Sequence, residues 1–198
     1  MSPIFLLMTA LMAGVADEER LCRQVDAEEW AVVERVSRDG VKGGRACSYV
    51  AAPPKHVYAV LIDYESYPAW MDKMGATTVQ WSSDVTAEVG YRLELRWGEF
   101  NYTMLRTHEP PEHIRWVMTE GDFAQVDGYY RLQPAADGQH TLLFLEQYMD
   151  AGRYVPGFIE RYIQQRASRQ LLQDIRDETM RREAAAPGLA SDIAEEEP

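Results

Sequence analysis

The stretch that decides the fold is residues 155–182, VPGFIERYIQQRASRQLLQDIRDETMRR. Its apolar residues recur three and four positions apart, the spacing of one helical face: Val155, Phe158, Ile159, Tyr162, Ile163, Leu171, Leu172, Ile175 and the pair Thr179/Met180. Pro156 suits the first turn, and the arginines of the stretch are expected to keep the opposite face wet. The spacing predicts one long amphipathic helix, which needs another element to pack on.

Strands are predicted before this helix, from about Trp81 to Met149, because apolar and polar residues alternate there. The alternation is strict in residues 91–97, where the aromatic and leucine side chains share one face. Gly98-Glu99 is expected to form a tight connection to the next strand. The same spacing then groups Phe100, Tyr102 and Met104, followed by Ile114, Trp116 and Met118, and finally Tyr130 and Leu132.

One predicted strand differs from the others, because residues 142–145 are apolar on both faces. Such a strand is covered on both sides, and the N-terminal segment is the expected second cover. An earlier Asp39-Gly40 pair between two extended segments predicts a hairpin. Together these patterns predict an α+β fold, in which a curved antiparallel sheet wraps around the long C-terminal helix.

The two ends of the chain differ in composition from this domain. Residues 1–16 carry no charged side chain and hold an apolar run too short to span a bilayer, and Gly14 and Ala16 fit a signal-peptidase site. We expect a signal peptide and a periplasmic or secreted protein; a misassigned start or a buried N-terminal element is the alternative. Residues 184–198 are acidic and contain Pro and Gly, so a disordered tail is expected.

The amino-acid composition limits the kinds of partner that the protein can bind. The net charge of −12 argues against nucleic acid, because phosphate binding needs clustered Lys and Arg in excess. Eleven Tyr and five Trp can line a binding cavity, although an aromatic-rich core has the same composition. Cys22 and Cys47 are the only cysteines, and in an exported protein they either form one disulfide or remain separately buried thiols.

Three segments resemble the START-like superfamily, which groups polyketide cyclases, lipid-transfer domains and coenzyme Q-binding proteins. The first is residues 52–71, APPKHVYAVLIDYESYPAWM, with its Ala-Pro, its Val-Tyr-Ala-Val-Leu helix and its Tyr-Pro-x-Trp. The second is Gly128-Tyr129-Tyr130-Arg131-Leu132, and the third is residues 150–158, where Ala151 stands in a place often held by Pro. The resemblance covers about residues 28–182. It implies a helix-grip fold with a hydrophobic cavity, so residues 17–183 are interpreted as a START-like ligand-binding domain.

Metal and catalytic motifs are sparse. The sequence His108-Glu109-Pro110-Pro111-Glu112-His113 has metal-ligand residue types, but its two prolines forbid the helix of a zinc motif. A polar hairpin tip is the preferred interpretation, and no metal or cofactor is expected. Because no nucleophile elbow, phosphate loop or Cys-x-x-Cys pair occurs, no catalytic residue is assigned.

The candidate ligand-binding residues are aromatic and methionine side chains on the predicted inward faces, although an ordinary core would use the same residues. Arg106 is included because it falls on the same face of its predicted strand as Tyr102 and Met104. An inward Arg106 needs a carboxylate, a carbonyl or a ligand headgroup, whereas at the strand end it reaches solvent. Between Ile163 and Leu171 the helical stripe offers only Ala167, which would leave room for a ligand, although a stretch of helix that faces a gap in the sheet has the same pattern. The full set is Trp70, Met74, Tyr91, Trp97, Tyr102, Met104, Arg106, Trp116, Met118, Tyr130, Phe158 and Tyr162.

The resemblance implies non-enzymatic binding or transport of a hydrophobic ligand, such as a lipid, a quinone or another isoprenoid. The protein is expected to be monomeric and to contact membranes transiently. The resemblance also permits an aromatase/cyclase-type enzyme acting on a polyketide-like substrate, or a protein-interaction module. Export disfavours the enzyme, because polyketide assembly is cytosolic.

Overall fold

The computed structural model describes residues 16–96, 98–152 and 167–185. Its helices are α1 (residues 16–22), α2 (Pro54–Ile62), α3 (Tyr67–Trp70) and α4 (Ser168–Ala185), and a short 3-10 helix (Tyr64–Ser66) connects α2 with α3. Its strands are β1 (Ala31–Arg38), β2 (Val41–Val50), β3 (Met74–Ser82), β4 (Thr86–Leu95), β5 (Gly98–Glu109), β6 (His113–Gly121), β7 (Gln125–Pro134) and β8 (Thr141–Asp150). They form one eight-stranded antiparallel sheet in the order β1-β2-β8-β7-β6-β5-β4-β3.

Helix α4 packs against the concave face of this sheet and against α2, which confirms the predicted helix-grip fold. Leu172 and Ile175 are fully buried in the main core. The predicted part of the helix at residues 155–166 lies outside the described residues. Of the pair Thr179/Met180, only Thr179 is buried, because it donates a hydrogen bond to the Ile175 carbonyl while Met180 faces solvent.

The arginines of α4 do more than keep one face wet. The Arg182 guanidinium bonds to Asp63 Oδ2 at 2.7 Å and to Ser66 Oγ at 3.0 Å, which ties the helix to the connection between α2 and α3. Arg169 and Arg176 both lie over the ring of Trp30, at 4.9 and 5.2 Å from its centroid. These contacts fix α4 at both of its described ends.

The convex face of β8 is covered by α1, as predicted for a strand that is apolar on both faces. Phe144 packs with Leu21 and Val25 on this side, whereas Leu143 and Leu145 belong to the main core. A disulfide joins Cys22 to Cys47 of β2, with their Cα atoms 5.2 Å apart. The outer cover is therefore covalently attached to the sheet.

Two predicted turns had different outcomes. The Asp39-Gly40 hairpin is confirmed, because both residues have positive φ (53° and 84°), as a two-residue hairpin turn requires. The expected Gly98-Glu99 connection is wrong. Gly98 already pairs with Leu95 as the first residue of β5, so Gly98 and Glu99 belong to the strand.

Gly128 is a packing requirement of the sheet. A Cβ at this position would lie 2.4 Å from the Glu146 carbonyl oxygen and 2.6 Å from the Trp116 ring. The glycine of the Gly-x-aromatic-x-Leu pattern thus makes room for Trp116, which crosses over it from β6.

Gly128→Ala is expected to lower the free energy of unfolding by about 1–3 kcal/mol, the usual cost of overpacking a core. Urea denaturation measures this loss. Gly90→Ala in β4 is the matched control, because the nearest atoms to its new Cβ would be 3.8 Å away. The control should change stability by less than about 1 kcal/mol, and equal losses in both variants would contradict the packing argument.

Candidate functional site

A cavity of about 280 Å³ lies where the first described turn of α4 faces the ends of the sheet strands. Its apolar lining consists of Met71, Met74, Leu93, Leu95, Tyr102, Met149 and Leu171. Its polar lining includes exposed residues that mark the mouth: Lys42, Asp72, Lys73 and Gln170. The cavity therefore combines an apolar interior with a hydrated opening.

Small residues bring α4 close to the sheet beside this cavity. A Cβ on Gly44 would lie 2.4 Å from Ser168 Oγ, so the helix approaches β2 where β2 has no side chain. Gly43, Ala167 and Ser168 also line the cavity. Ala167 is the small residue for which the sequence predicted room, and the cavity lies beside it.

The loop after α3 forms one side of the mouth and is attached to α4. The Asp72 backbone N–H donates to Asp174 Oδ2 at 2.8 Å, and Gln170 donates to Asp174 Oδ1 at 2.9 Å. Lys73 has a positive φ of 65° and accepts a hydrogen bond from the Glu94 N–H at its carbonyl. Burial raises the pKa of Asp174.

An aromatic layer lies behind the cavity. Tyr102 and Tyr91 are cross-strand partners, and their rings stack with centroids 5.3 Å apart. Tyr67 contacts the Tyr91 ring and donates its hydroxyl to the Leu61 carbonyl at 2.6 Å. Phe123 packs on Tyr102 and stacks on Phe100. Tyr102 thus connects the cavity lining to the buried aromatic side chains of the core.

Arg106 lies within this core, with its side chain 3% exposed. Its Nη1 donates to the Tyr91 hydroxyl at 2.8 Å, and its guanidinium lies over the rings of Tyr64 (5.0 Å) and Trp116 (5.1 Å). No described residue forms a hydrogen bond with its Nε. Arg106 therefore points inward, which is one of the two orientations that its position in β5 allowed. None of the described residues provides a carboxylate partner for it.

His108 continues the inward face of β5 and is also buried. Its Nε2 lies 2.6 Å from the Tyr64 hydroxyl. Burial and the nearby Arg106 charge lower the pKa of His108, and burial raises the pKa of Tyr64 to about 12. The pair is a hydrogen-bonded phenol and imidazole, and the tautomer of His108 sets which group donates. The predicted polar hairpin tip is thus wrong for His108, whose parity with Arg106 could have revealed its burial.

The predicted ligand-binding residues fall into four groups. Met74 and Tyr102 line the cavity. Tyr91, Met104, Arg106, Trp116 and Tyr130 are buried behind it, and Trp70 and Met118 pack at the edge of that core. Trp97, Phe158 and Tyr162 lie outside the described residues. Their roles in binding stay predictions.

Several cavity residues were missed by the sequence reasoning. Leu93 and Leu95 were placed on the correct face of β4 but not chosen, although the alternation that selected Tyr91 applies to them equally. Met71, Met149 and Leu171 come from three separate elements that only the fold brings together. Within residues 16–96, 98–152 and 167–185, no group of three His, Cys, Asp or Glu residues could hold a metal ion. No helix in that part of the chain is long and apolar enough to cross a membrane.

Comparisons with known proteins agree with this architecture. Residues 50–176 match the family described as polyketide cyclase/dehydrase and lipid transport. No curated protein matches the sequence.

Solved structures with the same fold include proteins of different activities. The Zhui aromatase/cyclase from Streptomyces sp. R1128 is 20% identical with a TM-score of 0.65, over 80% of this chain and 100% of that one. A STAR-related lipid transfer protein from Xanthomonas axonopodis is 14% identical with a TM-score of 0.68, over 79% and 97%. The lipid transfer and protein localization domain of human StarD13 is 18% identical with a TM-score of 0.62, over 84% and 95%.

Trp116→Ala is expected to lower the free energy of unfolding by about 3–5 kcal/mol, because the indole is buried against Tyr130 and over Gly128. Trp81→Ala is the matched control, since Trp81 is 46% exposed and its loss should cost less than about 1 kcal/mol. Chemical denaturation compares the two. A Trp116→Ala protein of normal stability that no longer binds apolar probes would instead place Trp116 in a ligand site.

Proposed function

Because the chain belongs to the polyketide cyclase/dehydrase and lipid transport family, we propose that it is a non-enzymatic carrier of a hydrophobic small molecule. A lipid, a quinone or another isoprenoid is the proposed cargo. The family and its START-like fold indicate either hydrophobic-ligand binding or polyketide cyclisation. The observation that favours a carrier is the cavity at α4, with its apolar interior and its polar mouth.

The physical properties of this cavity suit an apolar guest. Burial of ligand surface contributes roughly 25 cal/mol per Å², and side chains around an unfilled volume recover dispersion contacts when a guest enters. A volume of about 280 Å³ is close to the lower end of the usual range for ligand sites. Met71, Met74 and Met149 are flexible and polarisable, so the lining can adapt to the shape of the guest.

An aromatase/cyclase-type enzyme is the second candidate, and the His108–Tyr64 pair is the observation in its favour. An imidazole hydrogen-bonded to a phenol has the groups needed for acid–base chemistry. Neither residue belongs to the cavity lining at α4, and they are hydrogen-bonded to each other. The carrier therefore ranks first.

We also propose that the protein acts in an oxidising compartment, the periplasm or the cell exterior. The Cys22–Cys47 disulfide supports this location, because such bonds persist mainly outside reducing compartments. A carrier there would load its cargo by transient contact with a membrane.

Fluorescence titration with N-phenyl-1-naphthylamine, a neutral apolar dye, tests the carrier function. The wild-type protein is expected to bind about one dye molecule, and Ala167→Phe should weaken binding about tenfold or more because the new ring occupies the cavity. Ala184→Phe is the matched control on the same helix, since Ala184 is exposed. Absence of saturable binding in the wild type would reject the carrier function, and equal weakening in both variants would reject this cavity as the site.

Recovery of the protein from its own host tests the location. The envelope fraction is expected to contain a chain that lacks the N-terminal apolar run and whose Cys22 and Cys47 resist alkylation until a reductant is added. Intact mass spectrometry with and without reduction measures both properties. A full-length chain with two reactive thiols in the cytosolic fraction would reject export and favour the cyclase.

A further inference from the structure

Arg106 carries a positive charge into the core without a negative partner among the residues that the structure describes. Its side chain is 3% exposed, its Nε forms no hydrogen bond to a described residue, and its guanidinium contacts the hydroxyl of Tyr91 and the rings of Tyr64 and Trp116. Burying a guanidinium without a counter-charge is costly, because lost hydration is not replaced by Coulomb attraction. Arginine does not avoid this cost by losing its proton. Within the described residues, the charge of Arg106 is therefore uncompensated.

The surrounding hydroxyl groups do not supply the missing charge. Burial raises the pKa of Tyr64, Tyr91 and Tyr130, so these side chains are neutral at pH 7. The Tyr91 hydroxyl accepts its hydrogen bond from Arg106, which leaves its own proton to be donated to another acceptor. The guanidinium and the Tyr91 hydroxyl both offer donors, and such a set suits an anionic oxygen.

One stacked tyrosine pair separates this charge from the cavity. Tyr102 and Arg106 lie on the same inward face of β5, and Tyr102 forms part of the cavity lining. The Tyr102 ring stacks on Tyr91, the residue whose hydroxyl receives the hydrogen bond from Arg106. The inner end of a ligand in the cavity would thus be one aromatic layer from the unpaired charge.

We propose that Arg106 and Tyr91 bind the anionic head of an amphiphile whose hydrocarbon tail fills the cavity at α4. The head is a carboxylate, so the ligand is a long-chain carboxylic acid rather than a neutral lipid or a quinone. The head passes the Tyr102 ring, and the tail extends toward the exposed residues at the mouth. This inference rests on the proposed carrier function, because it needs an apolar tail in the cavity.

Competition for bound N-phenyl-1-naphthylamine at pH 8 tests the head, with dodecanoate, dodecyl phosphate and dodecan-1-ol as competitors that share one tail. The wild-type protein is expected to bind dodecanoate roughly 10- to 100-fold more tightly than dodecan-1-ol, the factor of a hydrogen bond to a charged group. Arg106→Gln should abolish this preference and leave the affinity for the alcohol unchanged. Arg115→Gln, on the exposed face of β6, should keep the preference.

The results of this competition experiment distinguish a failure of the anionic-head inference from a failure of the carrier function. Equal wild-type affinities for the acid and the alcohol, or a preference that survives Arg106→Gln, would overturn the inference and leave the carrier function in place. Absence of dye binding in the wild type would reject the carrier function, and the inference with it. A preference for dodecyl phosphate over dodecanoate would keep the anionic head at Arg106 but overturn its assignment as a carboxylate.

Thermal unfolding of the ligand-free protein tests whether the charge of Arg106 lacks a partner within the chain. Arg106→Met is expected to leave Tm within about 3 °C of the wild type or to raise it, because it removes an uncompensated buried cation. Glu160 is the one acidic residue in the sequence between 153 and 166, which lies outside the described residues. If Arg106→Met and Glu160→Gln each lowered Tm and the double variant lowered it no further, the chain itself would neutralise Arg106 and the inference would fail.

Discussion

A single antiparallel sheet needs cover on every apolar face, and this requirement organises the molecule. Strand β8, which lies between β2 and β7, shows it most directly, because Leu143 and Leu145 belong to the main core while Phe144 packs on the opposite side. Helices α2 and α4 cover the concave face, and α1 covers the convex face near the Cys22–Cys47 disulfide. Part of the concave face can therefore remain uncovered by helices and bind a ligand.

The cavity arises where this cover is incomplete. Close approach of α4 to the sheet depends on Gly44, and the small Ala167 leaves space that larger residues would fill. The apolar surface left there would ordinarily reduce stability, since unfilled volume forfeits dispersion contacts. The cost of the cavity is local, because Leu172 and Ile175 restore a filled core within two turns of the helix.

Periodicity predicted the fold well because it reports which faces are buried. The alternation in β4 to β7, the double-sided β8 and the Asp39-Gly40 hairpin all depend on local sequence. Features that depend on residues far apart in the chain are harder to predict from sequence. The sequence leaves the Cys22–Cys47 pairing and the inward orientation of Arg106 open. Strand parity indicates that His108 is buried, but it does not indicate its partner Tyr64, which lies 44 residues away in sequence. The cavity lining also draws on five strands, a loop and a helix, so no single pattern contained it.

The buried charge of Arg106 and the apolar cavity together constrain the chemistry of the ligand. A neutral guest in the cavity would leave the guanidinium of Arg106 without a counter-charge among the described residues, and a small anion beside Arg106 would leave the cavity unfilled. A ligand with a tail and a charged head satisfies both sites at once. The stacked Tyr91 and Tyr102 rings join the two sites, because Tyr102 belongs to the cavity lining and Tyr91 to the hydrogen bonding of Arg106. Selection for head charge would therefore occur in the core, whereas selection for tail shape would occur at α4.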